Sequence, residues 1–205
     1  METLRKPRRM KPPYKHVVQI GDPTLRQTAE EVPTDLIDSK EIQTILHKMK
    51  DVYTKYNCCG LSAPQVGVSL RIIMVGMNKK QMKEHTPEEI KIKQIKEFDF
   101  QIFINPVVKV TDYTKILFPE SCESVRGFWA EVPRYQAITL QGHNEIGKEM
   151  NMELSGWMAR IVQHEMDHLN GKLYTDIMDR KTLTCGCWDI INERNGGVIL
   201  PYRPK

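Results

Sequence analysis

The chain has 205 residues, of which 40% are hydrophobic, so it holds enough apolar material for one domain with a sizeable core. No uninterrupted apolar run approaches the ~18 residues that a membrane helix needs, and no apolar segment typical of a secretory signal follows the N-terminus. The formal net charge of +4 does not require a nucleic-acid partner, and we infer no nucleic-acid site. Five cysteines without a secretory signal argue against a disulfide framework and fit a reducing compartment.

The first fifteen residues are basic and contain three prolines, with six lysines or arginines against a single acidic residue. We predict a solvated tail over residues 1–15. The alternatives are the end of an organelle-targeting segment or an arm near an anionic partner, such as a ribosomal surface.

The rest of the chain carries helical and strand patterns, with most strands before a late helix. Apolar residues at steps of three and four predict a helix within 35–57. Thr86-Pro87-Glu88-Glu89 has the form of a capping box and predicts a short helix in a lysine-rich surface insertion. Further predictions are strands at 70–77, 100–110 and 113–121, a hairpin at 130–156 turning around 143–147, a helix from Ser155 to Asn170, and a short helix near 188–194. This order is typical of an α+β fold and not of alternating βαβ units.

The late helix carries the sequence QHEMDH, in which His164 and His168 are four residues apart. On a helix they share a face, so both imidazoles can reach one cation, and Glu165 beside them can take a proton from water. The alternative is a solvated polar face that carries the motif by chance. A catalytic zinc site usually has three protein ligands. The downstream candidates are poor, because Tyr174 stands where some metalloproteases have a third histidine and Glu193 lies in the tail.

Cys122 is the best candidate for the third ligand. It follows a predicted strand in the polar sequence FPESCES. A lone cysteine is as often a small buried hydrophobic residue, but the incomplete histidine pair favours the ligand. A Cys/His/His set would hold one divalent ion, with Fe²⁺, Zn²⁺ and Co²⁺ as candidates.

The third informative stretch is CCGLSAPQVG, residues 58–67. Gly60 and Gly67 permit unusual backbone angles or the close approach of a ligand. Gln65 can donate a hydrogen bond to a carbonyl oxygen that develops charge. The alternative is a plain loop between a helix and a strand.

Taken in order, CCGLSAPQVG, ESCES and QHEMDH resemble the motifs of the peptide deformylases, especially the mitochondrial animal type. The resemblance covers residues 16–180 and implies a fold in which antiparallel β-sheets pack around a central helix that carries the HExxH motif. It also implies removal of the formyl group from N-formylmethionine of nascent chains, and a mitochondrial location. A catalytic domain of residues 16–180 would then lie between an N-terminal tail, 1–15, and a C-terminal tail, 181–205.

The resemblance also implies a role for each residue of the site. Three of them would bind the metal ion: Cys122, His164 and His168. Glu165 would be the general acid and base. Gln65 and the backbone N–H of Glu123 would stabilise the oxyanion, and the backbone of Gly60 and Leu61 would pair with the extended substrate.

Three positions depart from the family pattern. Cys58 and Ser121 replace glycines, and Glu123 replaces the leucine of bacterial members. If position 121 needs a positive φ, serine would add strain of about 1–3 kcal/mol. These departures keep open a diverged paralogue that binds nascent chains or a ribosomal surface without turnover, and a zincin-type metallopeptidase is a further alternative. A homodimer is also left open.

Several other residues have two interpretations. Trp157 either lines a methionine pocket or belongs to the core, and Arg134 and Asp167 either orient the site or have only structural roles. Cys185 and Cys187 are interpreted as two thiols in a loop, the alternative being a second metal site.

Overall fold

The computed structural model describes residues 11–202. Most of the predicted N-terminal tail therefore lies outside the described residues, and its prediction stays untested. Within residues 11–202, no helix combines the length and the apolar character needed to cross a membrane.

The first long helix, α1 (Lys40–Tyr56), forms where the apolar spacing predicts it. The Ser39 side chain caps its N-terminus by accepting a hydrogen bond from the backbone of Ile42, at 3.3 Å. The helix ends where Asn57 takes a left-handed conformation with a φ of 52°. Its buried face comprises Ile42, Leu46, Met49, Val52 and Tyr56. The chain turns at Asn57 and continues directly into residues 58–67, which contain Gly60 and Gly67.

All the strands belong to one connected antiparallel sheet. The strands are β1 (Gly60–Ser62), β2 (Ile72–Met77), β3 (Phe98–Ser121), β4 (Phe128–His143), β5 (Glu149–Ser155) and β6 (Thr184–Cys185). The order is β1-β2-β3-β4-β5, and β6 pairs with the start of β4. Among the strands of residues 11–202, β1 is therefore an edge strand that is hydrogen-bonded only to β2.

The predicted division of β3 into two strands is wrong. Residues 98–121 form one 24-residue strand, and its pairing with β4 shifts register between Val110 and Asp112 and again between Asp112 and Lys115. Such irregularities bend a strand without ending it. The polar residues that suggested a turn therefore lie in a bulged part of one long strand.

The late helix, α4 (Gly156–Leu169), lies against the sheet and contacts strands β1 to β5. Ser155 precedes it as the N-cap residue, and Asn170 and Gly171 end it as predicted. Its apolar face, which includes Met158, Ile161 and Val162, joins sheet residues in a core cluster. The α+β fold class, with a central helix carrying the HExxH motif, is confirmed. Packing against five strands fixes the height and rotation of the two histidines.

Two shorter segments complete the fold. The insertion contains α2 (Lys79–Met82) and α3 (Pro87–Ile92). The predicted capping box is present, since the Thr86 hydroxyl accepts from the Glu89 backbone and the Glu89 carboxylate accepts from the Thr86 backbone. The C-terminal segment forms β6 and then α5 (Trp188–Glu193), close to the predicted bounds.

Candidate metal centre

Three potential ligand atoms converge where β3 meets α4. The Cys122 sulfur and one ring nitrogen each from His164 and His168 lie within 4.8 Å of one another. Cys122 Sγ and His168 Nε2 are 3.4 Å apart. Cys122 immediately follows β3, and the helical spacing turns both imidazoles toward it. The structure thus brings together the three side chains that the sequence selects as ligands.

A buried carboxylate, Glu120, orients the first histidine. Its Oε2 lies 3.0 Å from His164 Nδ1, which leaves Nε2 of that ring available to a metal. Arg134 donates two hydrogen bonds of 2.9 Å to the same carboxylate, and Arg160 donates a third of 2.7 Å. Carboxylate partners of this kind fix the tautomer and orientation of ligating histidines.

The charges around Glu120 keep it ionised although it is only 7% exposed. Burial by itself raises the pKa of this carboxyl, but hydrogen bonds from His164 and Arg134 outweigh burial and hold the pKa well below its usual value. Asp167 completes the group, because it pairs with the remaining Arg134 nitrogen. The group therefore supplies a fixed negative charge behind His164.

Glu120 and Arg160 are functional residues that the sequence analysis missed. Glu120 stands two residues before Cys122 at the end of an otherwise largely apolar predicted strand, and that position is the only local signal. Arg160 reaches Glu120 across 40 positions of the chain, which no local pattern reveals. Of the two interpretations of Arg134 and Asp167, the contacts favour the orienting role, since Arg134 holds Glu120 and pairs with Asp167.

The two histidines have opposite electrostatic surroundings. Burial lowers the pKa of His164, but hydrogen bonds with Cys122 and Glu120 outweigh it and raise the pKa well above the ordinary value. Burial, together with the nearby His164, lowers the pKa of His168 well below that value. A neutral His168 presents a lone pair from Nε2, as a metal ligand must.

The donor set fits one transition-metal ion. Thiolate and imidazole are the ligands that zinc and iron accept in proteins. The Ser124 backbone N–H lies 3.4 Å from the Cys122 sulfur, and the Gln65 side-chain amide lies 3.6 Å from it. Among residues 11–202 this is the one group of three such side chains close enough to share an ion.

Glu165 lies next to the ligands, 3% exposed, on the cleft side of α4. Its Oε2 has no hydrogen-bond partner among the described residues. Burial raises the pKa of this carboxyl to about 7, although the neighbouring His164 acts in the opposite direction. A carboxyl that titrates near neutrality can both accept and donate a proton under working conditions.

Gln65 is oriented by hydrogen bonds at both ends of its amide. Its Oε1 accepts from the backbone and the hydroxyl of Ser62, at 2.9 and 3.1 Å. The NH₂ end must therefore face the opposite way, where Ser124 Oγ lies at 3.3 Å and Cys122 Sγ at 3.6 Å. This arrangement holds two N–H groups at the floor of the cleft.

The site opens into a cleft of about 370 Å³. Two of the potential metal ligands, Cys122 and His164, line the cleft together with Glu165. Other residues that line it are Gly60, Gln65, Ser121, Glu123 and Trp157. Gly60 of the edge strand β1 and residues 119–121 at the end of β3 both line the cleft. The cleft therefore places the start of an edge strand beside the proposed metal ligands Cys122 and His164.

Comparison with known proteins decides which family this architecture represents. The family model for polypeptide deformylase matches residues 14–183. This chain belongs to the peptide deformylase family. It is 40% identical to the human mitochondrial peptide deformylase over 182 residues, which are 89% of this chain and 75% of the human protein. It is 42% identical over 166 residues to peptide deformylase 1A, chloroplastic/mitochondrial, of Arabidopsis thaliana, covering 81% of this chain and 62% of the plant protein.

Solved peptide deformylases share the fold. The Met-Ala-Ser-bound class I type b enzyme from Acinetobacter baumannii has a TM-score of 0.69 and 26% identity, covering 79% of this chain and 96% of that one. The peptide deformylase from Thermotoga maritima has a TM-score of 0.67 and 27% identity, covering 81% of this chain and 98% of that one.

The positions where this peptide deformylase departs from the family pattern cause no backbone strain. Ser121 lies in the extended backbone of β3, and the left-handed residue beside Cys58 is Asn57. The Glu123 carboxylate lines the cleft and pairs with Arg126 at 2.9 Å. Tyr174 stacks on the His164 ring with centroids 6.4 Å apart. Tyr174 thus packs beside the two histidines. The third potential ligand is Cys122.

Proposed function

We propose that this chain is a metal-dependent amide hydrolase that removes the N-formyl group from N-formylmethionine at the start of nascent polypeptides. The observation that carries the proposal is the convergence of the Cys122, His164 and His168 ligand atoms within 4.8 Å, beside the buried carboxylate of Glu165. The names of the relatives support the same reaction, since they are peptide deformylases of human, plant and bacterial origin.

Cys122, His164 and His168 are proposed to hold one divalent ion, for which Fe²⁺, Zn²⁺ and Co²⁺ suit the donor set. Such an ion, when bound, polarises a carbonyl oxygen and lowers the pKa of water. Glu120 would fix the orientation of the His164 ring through its hydrogen bond with Nδ1.

Glu165 is proposed as the general base and then the general acid. Its free Oε2 can accept a proton from the attacking water and later donate that proton to the leaving amine of methionine. Both transfers are favoured by a pKa of about 7, because neither protonation state is strongly preferred near neutrality. The Glu165 carboxylate lies against the backbone of Gly60, where a Cβ would overlap it.

Gln65 and the backbone N–H of Glu123 are proposed to donate hydrogen bonds to the formyl oxygen as it gains negative charge. The Ser62 contacts fix the Gln65 amide in advance, so the chain does not reorganise during the reaction. Donors that are oriented beforehand stabilise the transition state more than the ground state.

The edge of β1 is proposed to pair with the substrate backbone through Gly60 and Leu61. The Leu61 side chain is buried, and in the described part of the chain its strand is hydrogen-bonded only to β2, which leaves the other edge for an added strand. The Met-Ala-Ser peptide bound to the Acinetobacter deformylase is a ligand of suitable length for such pairing.

Further proposals concern domain bounds, location and partners. Residues 16–180 are proposed as the catalytic domain, with 181–205 as a C-terminal extension. The mitochondrial names of the human and plant relatives support a mitochondrial location for this chain. A ribosomal surface and a second copy of the chain are proposed as macromolecular partners, and sedimentation of the purified chain with and without ribosomes would test both.

The reaction is tested by assaying formyl-Met-Ala-Ser hydrolysis under anaerobic conditions, with the metal content of the same sample. We expect Glu165→Gln to lower kcat by roughly 10²–10⁴-fold, because the amide cannot transfer the proton. The matched control is Glu153→Gln, an exposed position on β5, which should keep full activity. Formyl release from Glu165→Gln at the wild-type rate would refute the proposed role, and no release from the wild-type chain with its ion bound would refute the function.

A further inference from the structure

A pair of thiols lies outside the catalytic site, at the junction of β6 and α5. Cys185 ends β6, Cys187 precedes α5, and their sulfur atoms are 3.6 Å apart. A disulfide requires a separation of about 2.05 Å. The two sulfurs therefore need to approach by only a small movement.

Access to solvent distinguishes this pair from the buried cysteines. Cys185 and Cys187 are both partly exposed, whereas Cys58 and Cys122 are each only 8% exposed. Thiol–disulfide exchange requires a thiolate that an oxidant can reach. An oxidant can reach the partly exposed sulfurs at the β6–α5 junction more readily than the nearly buried sulfur of the proposed metal ligand Cys122.

The residue between the two cysteines favours closure of the ring. Gly186 has wide backbone freedom, and a Cβ at this position would make only ordinary contacts, the nearest at 3.6 Å from the Gly127 carbonyl oxygen. Packing therefore does not require glycine here. The Gly186 backbone N–H donates to the same carbonyl at 2.8 Å, which holds the turn against β4.

The ligand arrangement favours a disulfide over a second metal site. Among residues 11–202 the only three side chains close enough to share an ion are those of the catalytic cleft. The Cys185–Cys187 pair thus has no third ligand of that kind, while a closed zinc site takes four.

We propose that Cys185 and Cys187 form a reversible disulfide with a small-molecule disulfide, such as oxidised glutathione, as the oxidant. One thiolate attacks a sulfur of the oxidant, forms a mixed disulfide and releases one glutathione thiol. The other cysteine then attacks the protein sulfur of the mixed disulfide and releases the second thiol. Two protein thiols are oxidised, one glutathione disulfide is reduced to two thiols, and the two protons move to the departing thiolates.

The test uses the reduced, metal-loaded full chain treated with oxidised glutathione, quenched in acid, alkylated and digested with trypsin. Cleavage after Lys181 and Arg194 places both cysteines in one peptide, residues 182–194. We expect this peptide to lose the mass of two hydrogen atoms, to resist alkylation, and to recover both thiols after dithiothreitol. The internal control is the tryptic peptide 56–71, which holds the neighbouring Cys58 and Cys59 and should remain fully alkylated.

A Cys187→Ser variant separates the two chemical steps. With no second thiol, Cys185 should keep a stable glutathione adduct, and circular dichroism would verify that the variant is folded. The proposal is overturned if the wild-type peptide 182–194 keeps both thiols free, or accumulates glutathione adducts without an internal disulfide. Because the readout is mass and not turnover, it is independent of the proposed catalytic function.

Discussion

At the scale of single residues, Gln65 connects the loop after β1 to the reacting centre. Its carbonyl oxygen is held by Ser62 and its NH₂ group faces Cys122 and Ser124. Removing one donor of a pre-oriented oxyanion site typically costs about 2.7–4 kcal/mol of barrier. We therefore expect Gln65→Ala to lower kcat by roughly 10²–10³-fold with the metal retained. Steady-state kinetics and metal analysis on one preparation check this, and an unchanged kcat would remove Gln65 from the role.

Glu120 contributes to stability as well as to metal binding. Glu120→Gln would remove the charge that balances Arg134 and Arg160, both of which are at most 5% exposed. Breaking a buried ion pair in this way costs about 3–5 kcal/mol of unfolding free energy. Loss of such a partner behind a ligand also weakens metal affinity by about 10–100-fold.

Urea unfolding and a metal-competition titration measure the two effects of Glu120→Gln. Glu153→Gln is the control, and its unfolding free energy should stay within about 0.5 kcal/mol of the wild type because the position is exposed. Wild-type stability and metal affinity in Glu120→Gln would show that the carboxylate does not hold the arginines and His164 in place.

At the scale of elements, the site depends on the close approach of β1 to α4. A Cβ on Gly60 would overlap the Glu165 carboxylate and lie 2.9 Å from Ile161 Cγ2. We expect Gly60→Ala to lower kcat/KM by about 10²-fold, since the general base would move from its position. The control is Gly186→Ala, whose added Cβ makes only ordinary contacts. Equal kcat/KM values for the two variants would contradict the proposed positioning of Glu165.

Elements that local patterns specify are the ones that the sequence predicts well. Helix α4 has an apolar stripe, and it begins after Ser155 and ends before Gly171, as the sequence predicts. The capping box predicted at Thr86 also forms. The prediction of two strands within β3 is wrong because a bulge and a turn use the same kinds of polar residue. Only the pairing with β4, a tertiary feature, distinguishes the two.

At the scale of the whole molecule, the sequence predicts the ligands better than their surroundings. His164 and His168 share a helix face, so their proximity follows from the spacing alone. The polar setting of Cys122 and the incomplete histidine pair favour it as the third ligand, and the resemblance to the family implies the same role. The ion-pair group around Glu120 joins β3, β4 and α4, and no local pattern encodes a contact among three elements. The cleft is likewise a product of the sheet edge meeting the helix.

The most direct test of the account measures metal content and formyl-Met-Ala-Ser hydrolysis on the same anaerobic samples of the wild type and Cys122→Ala. The account predicts one metal ion per wild-type chain, with activity that a chelator removes and added Fe²⁺, Zn²⁺ or Co²⁺ restores. It predicts that Cys122→Ala loses both the ion and the activity while remaining folded. A Cys122→Ala chain that keeps one ion and wild-type turnover would contradict it.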